Sequence, residues 1–365
     1  MSDGNMRAGE IAGKLALLRE ALAGQGAGAL RLRGADWFAW ITAGGANALL
    51  HTFEAGGAEI LITAGEACVL TDQTEGERLR AEEVPDGFTF HIEPWAEPEL
   101  RERFVANAAA GLPVLSDRPA NDEQPLPPTL RQRRLVLSAA EQERYRALGR
   151  EAAEAMTEVL QRARPEWTEQ QLAAAGAEAL WRRGIHPALV LAAGERRLPL
   201  YRRATPTSEP IGQRAMLGFS ARRHGLYASL TRFVCFGPQC APDNQRNLID
   251  LEATALEAVK VGGSLSAVYH ALSQAYHHAD VEDAIRDHQQ GGITGYQARE
   301  VVATHSSATL LEAGMALAFS PGFGGMKLED TFLLGPDGLE NLTFDPGWPA
   351  LDVHGRKRPL WLEMQ

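Results

Sequence analysis

The sequence predicts two domains, an α/β layer domain followed by an α+β domain, and three observations predict it. The chain has 365 residues, more than one ordinary core organises. Its first part alternates short apolar runs with helical stretches, whereas the later part groups helices and apolar strands in blocks. Between them, "SDRPANDEQPLPPTL" at residues 116–130 concentrates Pro, Asp and Asn without an apolar period and reads as a linker. The expected domains are therefore residues 1–130 and 131–365.

In the first domain Ile11, Leu15, Leu18 and Leu22 recur at helical spacing, and Gly24 and Gly26 follow as a stop. Strands are expected at "GALRLRG", "AEILITAG", "EACVLTD" and "FTFHIEPW", with helices at "EGERLRAEEV" and "PELRERFVANAA". In the second domain two helices have clear starts, since Ser138 with Glu141 and Thr168 with Gln171 form capping boxes, and Gly184 closes the second. Two more helices are expected at "LIDLEATALEAVKVGG" and "LSAVYHALSQAYHHA". The strand-like runs are "HPALVLAAG", "AMLGFS", "LYASLTRFVCFG", "MALAFSPGF" and "DTFLLG".

The run "HGLYASLTRFVCFG" at residues 224–237 is unusually polar for its apolar neighbourhood. A strand sends alternate side chains to opposite faces, so Tyr227, Ser229 and Thr231 share one face and Leu230, Arg232 and Val234 the other. Such a strand is expected to line a site.

A formal net charge of -11 offers no general electrostatic footing for nucleic acid or anionic lipid. The only lysines are Lys14, Lys260, Lys327 and Lys357, a bias toward Arg that fits a GC-rich genome. Cys68, Cys235 and Cys240 make an odd count without ligand spacing, which argues against a disulfide framework and a zinc site. Cys235 reads as a buried strand thiol, and a reducing cytoplasm is the expected location. The N-terminal segment does not have the pattern of a secretory signal, and no apolar run approaches the ~18 residues of a membrane span.

The order of these pieces resembles the pita-bread family of methionine aminopeptidase, prolidase, aminopeptidase P and creatinase. The resemblance rests on the helix pair from Ser138 to Gly184, on "HGLYASLTRFVCFG", on "EAGMALAFSPG" and on "MKLEDTFLLGPDGLENLT". It implies an α+β pita-bread C-terminal domain, an α/β creatinase/prolidase-like N-terminal domain and a homodimer. The family's peptidases hold two divalent metals with two aspartates, a histidine and two glutamates, and the paired metals activate a bridging water. Matched residue by residue, the aspartate positions carry Gly218 and Ser229, the histidine position Gly292 and the first glutamate position Ser320. Glu329 alone is retained. A substrate-contacting histidine falls near "LPLYRR", where Leu200 stands, and a second is Arg299.

The losses belong together physically. Converging carboxylates are tolerable only when metal charge neutralises them, since a buried unpaired ion costs on the order of several kcal/mol. With three acids gone, one cation such as Arg299 or Arg232 suffices to balance Glu329.

The resemblance with these substitutions implies a prolidase-like protein without the dinuclear centre, without a metal cofactor and without metallopeptidase activity, whose pocket takes a small peptide or carboxylated ligand. The candidate pocket residues are Ser229, Arg232, His288, Gln290, Tyr296, Arg299, Ser320 and Glu329. One alternative is a metal-independent hydrolase of a C–N bond, with Tyr296, His288, Arg299 and Glu329 as working groups. Another is a protein-interaction module.

Overall fold

The computed structural model describes residues 3–48 and 55–365. Two compact units divide it, Met1–Arg134 and Leu135–Gln365. In the first unit α1 (Asp3–Gly24), β1 (Ala29–Gly34), α2 (Ala35–Ile41), β2 (Ala55–Ile62) and β3 (Ala67–Asp72) are followed by the short α3 (Gly76–Arg78), which runs into a π-helical turn. Then come β4 (Thr89–Glu93), α4 (Glu99–Ala109), β5 (Val114–Ser116), β6 (Gln124–Pro125) and α5 (Pro128–Leu135), whose last residue opens the second unit.

One sheet of order β4-β3-β2-β1-β5-β6 organises the first unit. Ala29, Leu61, Cys68 and Leu70 on one face pack against Val105 and Ala109 of α4, so the sheet's period of two meets one apolar helix stripe. The segment expected to be a linker is partly sheet. Leu115 pairs with Gln124 and Ser116 with Pro125. The side chains of Gln124 and Pro125 are exposed, so the pairing is made by backbone and leaves no apolar period to read.

The second unit opens on α6 (Ala139–Leu160) and α7 (Glu169–Trp181), and both expected capping boxes are formed, with Ser138 and Thr168 accepting from the backbone of Glu141 and Gln171. β7 (His186–Gly194), β8 (Arg214–Arg223) and β9 (Leu226–Phe236) follow, then α8 (Gln245–Glu257) and α9 (Leu265–His278). The remaining strands are β10 (Gly291–Thr294), β11 (Val301–Val302), β12 (Ala316–Phe319), β13 (Gly322–Phe323), β14 (Met326–Lys327), β15 (Asp330–Gly335), β16 (Gly338–Asn341), β17 (Ala350–Val353), β18 (Arg356–Pro359) and β19 (Leu362–Met364).

Two sheets, β19-β9-β8-β7 and β11-β10-β12-β15-β16, are joined where Thr231 of β9 bridges to Glu329 just before β15. β8 and β9 form a long antiparallel hairpin, in register from Arg214 opposite Cys235 to Arg223 opposite Leu226. Its two-residue turn has positive φ at both His224 (53°) and Gly225 (79°), the requirement of the type I′ turns that match strand twist. The helices cover these sheets. Leu256, Leu265 and Val268 pack with Leu317, Phe319 and Phe332 in one cluster, while Leu248, Ile249 and Leu272 pack with Met216, Phe233 and Trp361 in another.

Cys235 and Cys240 are joined in a disulfide, which corrects the expectation of unpaired thiols. A turn at residues 238–239 brings the chain back after β9, so the two Cα atoms lie 5.8 Å apart, within bridging range. The bond removes the cysteine-based argument for a reducing compartment. Among the described residues no helix is long and apolar enough to cross a membrane.

Candidate functional site

A cavity of about 260 Å³ is lined from β7, β8 and β9 and from the segments flanking β10, β12 and β14. The hairpin register sets its floor. Gly218 lies opposite Thr231 and Ser220 opposite Ser229, and residues directly opposite in an antiparallel pair share a face. Ser229 is buried, with its backbone N–H donating to Thr331 Oγ1 at 2.8 Å and its carbonyl accepting from the same hydroxyl at 3.0 Å. One threonine thus ties β9 to β15 through both its donor and its acceptor.

Glu329 is the one carboxylate in the cavity wall. Its Oε2 accepts from Lys327 Nζ at 2.8 Å and from Thr231 Oγ1 at 2.7 Å, and Arg299 Nη2 lies 3.5 Å from Oε1. Burial pushes this carboxyl up, but the charges of Lys327 and Arg299 and the hydrogen bonds from Lys327 and Thr231 together outweigh it, so it lies below the usual carboxylate range. A depressed folded-state value means a stabilising contribution that is complete above the ordinary range and lost as pH falls through the folded value. The stability gap between the wild type and Glu329→Gln is therefore expected to narrow steadily in acid, read from urea unfolding at stepped pH. A gap that does not change with pH would contradict this pairing.

His288 Nε2 lies 2.9 Å from the Ser320 carbonyl, which can only accept, so Nε2 carries the proton and Nδ1 is left without a partner. Burial lowers the affinity of His288 for a second proton, and Lys327 and Arg202 nearby lower it further, so the ring is neutral at neutral pH. Arg299 Nη1 donates to its neighbour's carbonyl at 2.7 Å, while its Nε and the Ser220 hydroxyl have no hydrogen-bond partner.

The structure gathers Ser229, His288, Arg299, Ser320 and Glu329 around this cavity, with Gly218 beside them. It places Arg232, Gln290 and Tyr296 outside the wall. Arg232 points away from Glu329's carboxylate and pairs with buried Asp330 at 2.7 Å, because alternation along β9 sends it to the face opposite Ser229. Gln290 accepts from Tyr276 at 2.8 Å and donates to the carbonyls of Ile285 and His288, so it fixes the loop that carries His288. The Tyr296 hydroxyl donates to Glu141 at 2.7 Å in a buried contact. Leu200 is 58% exposed and does not line the cavity.

Sequence reasoning missed Lys327, Arg202, Arg203 and Ser220, all of which line the wall. A signal for Lys327 was present, since a residue two before Glu329 in an extended segment shares its face. Arg202 and Arg203 sit in an irregular segment, where no period points to a face.

Of the positions matched to family metal ligands, Gly292 alone lies outside the cavity wall. It sits in β10 opposite Ala318 and Val302, at φ 154°, and a Cβ there would lie 2.1 Å from the Val301 carbonyl oxygen. At Gly218 a Cβ would meet Thr231 Oγ1 at 3.1 Å, a contact that a small shift relieves. Among the described residues, the one cluster of three His, Cys, Asp or Glu side chains close enough to share an ion is Cys235, Cys240 and Glu363. None of the three lines the cavity.

Residues 143–336 match metallopeptidase family M24. An Xaa-Pro dipeptidase from Bacillus anthracis superposes with a TM-score of 0.76 at 17% identity, over 97% of this chain and 100% of that one. Dipeptidase PepE from Mycobacterium ulcerans gives 0.75 at 19% identity, over 100% and 99% of the two chains. The N-terminal domain of FACT complex subunit SPT16 from Cicer arietinum gives 0.67 at 14% identity, over 93% and 96%. At such identities the likeness is one of fold. No curated protein matches the sequence.

Proposed function

This chain belongs to metallopeptidase family M24 and has its pita-bread fold, and from that premise we propose that it is a metal-independent member whose cavity binds a small peptide or carboxylated ligand. The observation that carries the reading is the state of Glu329. It is the single acid in the wall, and both its oxygens already face cations, Lys327 at 2.8 Å and Arg299 at 3.5 Å. The residues present do not fit a dinuclear centre. Hard divalent ions need several oxygen ligands, and here glycine and serine stand at four of the five matched positions while an ammonium occupies the remaining carboxylate.

At about 260 Å³ the cavity falls just below the ~300–1,000 Å³ of drug-sized sites, so a dipeptide or a smaller molecule suits it. The reading as a C–N hydrolase has less support, because the Tyr296 hydroxyl it needs is engaged with Glu141.

The deciding measurement is elemental analysis of protein prepared in manganese, together with an assay on Xaa-Pro dipeptides. The expected outcome is less than one equivalent of metal and no turnover, whereas two equivalents with turnover would sink the proposal. A chelator is also expected to leave the melting temperature unchanged, since no metal binding is linked to folding. A fall of several degrees would count against it. The homodimer implied by the family is checked in the same preparation by its mass in solution.

A further inference from the structure

Resting on the reading of this cavity as a metal-free binding site, we propose that its occupant is a small dianion, a short dicarboxylate with one carboxylate at the rim beside Arg203 and the other beside Arg299 and Lys327. Four cationic side chains line the wall, Arg202, Arg203, Arg299 and Lys327, against the single carboxylate of Glu329. Arg202 is taken up by Asp287 at 2.7 Å. Lys327 and Arg299 share one negative charge between them. Among the described residues Arg203 has no ion-pair or hydrogen-bond partner. The wall therefore carries about two positive charges more than it balances, one at exposed Arg203 and one beside Glu329, and a cleft with an excess of one sign recruits the opposite sign from solution.

A second observation points to the same class of ligand. Ser220 Oγ and Arg299 Nε are buried without hydrogen-bond partners, although buried polar atoms are nearly always paired. The hydroxyl and the guanidinium N–H are donors, as a carboxylate requires. Leu189, Leu191 and Phe219 line the same space and suit a short hydrocarbon stem. The two sources of positive charge are apart in kind, since Arg203 is exposed and Arg299 and Lys327 are largely buried around Glu329. A carboxylate at each end of a short stem meets one exposed and one buried excess charge, which a single compact phosphate does not.

The test is calorimetric titration of the full chain at low ionic strength with succinate, glutarate and adipate, with butyrate as the monocarboxylate and with inorganic phosphate. At least one dicarboxylate is expected to bind about tenfold or more tighter than butyrate and phosphate. Arg203→Gln is expected to abolish that preference without changing the melting temperature. Equal binding of butyrate and the dicarboxylates, tighter binding of phosphate, an Arg203→Gln variant that keeps the preference, or no binding by any of the three dicarboxylates would each overturn the assignment. Its failure is distinct from that of the metal-free reading, which is tested by manganese uptake with Xaa-Pro cleavage and by the chelator's effect on the melting temperature.

Discussion

Replacing Arg358 with methionine is expected to lower the unfolding free energy by about 3–5 kcal/mol, the usual cost of removing one partner from a buried ionic network. Arg358 is fully buried and clamps Glu252 with two nitrogens at 2.6 and 2.7 Å, while its Nη2 also lies 2.8 Å from Asp330. Asp330 in turn pairs with Arg232, which donates to the Thr343 carbonyl. The four charges cancel as two and two. Burial alone would drive Arg358 toward neutrality, but Glu252 and Asp330 outweigh it and hold the guanidinium charged. Without Arg358, Glu252 is a buried carboxylate with no cation in contact.

Urea unfolding measures the loss, and a second variant tests its cause. Arg358→Met combined with Glu252→Met leaves Asp330 and Arg232 as a balanced pair, so it is expected to recover most of the stability. A double variant as unstable as the single would mean that packing, not charge, is at stake. The network also matters to the cavity, since Arg232 Nη1 donates to the Glu329 carbonyl at 3.2 Å and Asp330 is the next residue.

Gly292→Ala is expected to cost about 3 kcal/mol or more, combining backbone strain with overpacking. Its φ of 154° is one that side chains rarely adopt, and the added methyl would lie 2.1 Å from the Val301 carbonyl oxygen and 2.9 Å from the Ala303 nitrogen. Both are backbone atoms of the neighbouring segment, so β11 would have to leave β10. Gly218→Ala is the control, with Thr231 Oγ1 at 3.1 Å able to give way and an expected cost under about 1 kcal/mol. Equal melting temperatures for the two variants would refute the comparison. If it holds, a side chain can be restored at residue 218 in this backbone, whereas one at residue 292, a histidine included, cannot.

How much was legible in the sequence depended on whether the information was local. The capping boxes at Ser138 and Thr168 were readable because a cap is a contact between residues three apart. Strand β8 declared itself by apolar content and β9 by a polar face amid apolar surroundings, and the face of Ser229 followed from alternation. Gln290 and Tyr296 were misplaced for the complementary reason. Their polarity suggested a pocket, but their partners, Tyr276 and Glu141, lie on distant helices that no local pattern names. Arg202 and Arg203 reach the cavity from an irregular segment, where the period that assigns a face is missing. The disulfide was missed although Gly237 with Pro238 marks a turn between its cysteines, because an odd cysteine count was read as free thiols, and β6 because backbone pairing at an exposed edge leaves no mark on side-chain composition.

The ammonium of Lys327 has one more consequence. It stands two residues from the carboxylate it neutralises, so acid and counterion are translated together and arrive together when the segment folds. On the metal-independent reading proposed above, such a site has no loading step, and its ligand binding is expected to be the same with chelator, with added manganese and with neither.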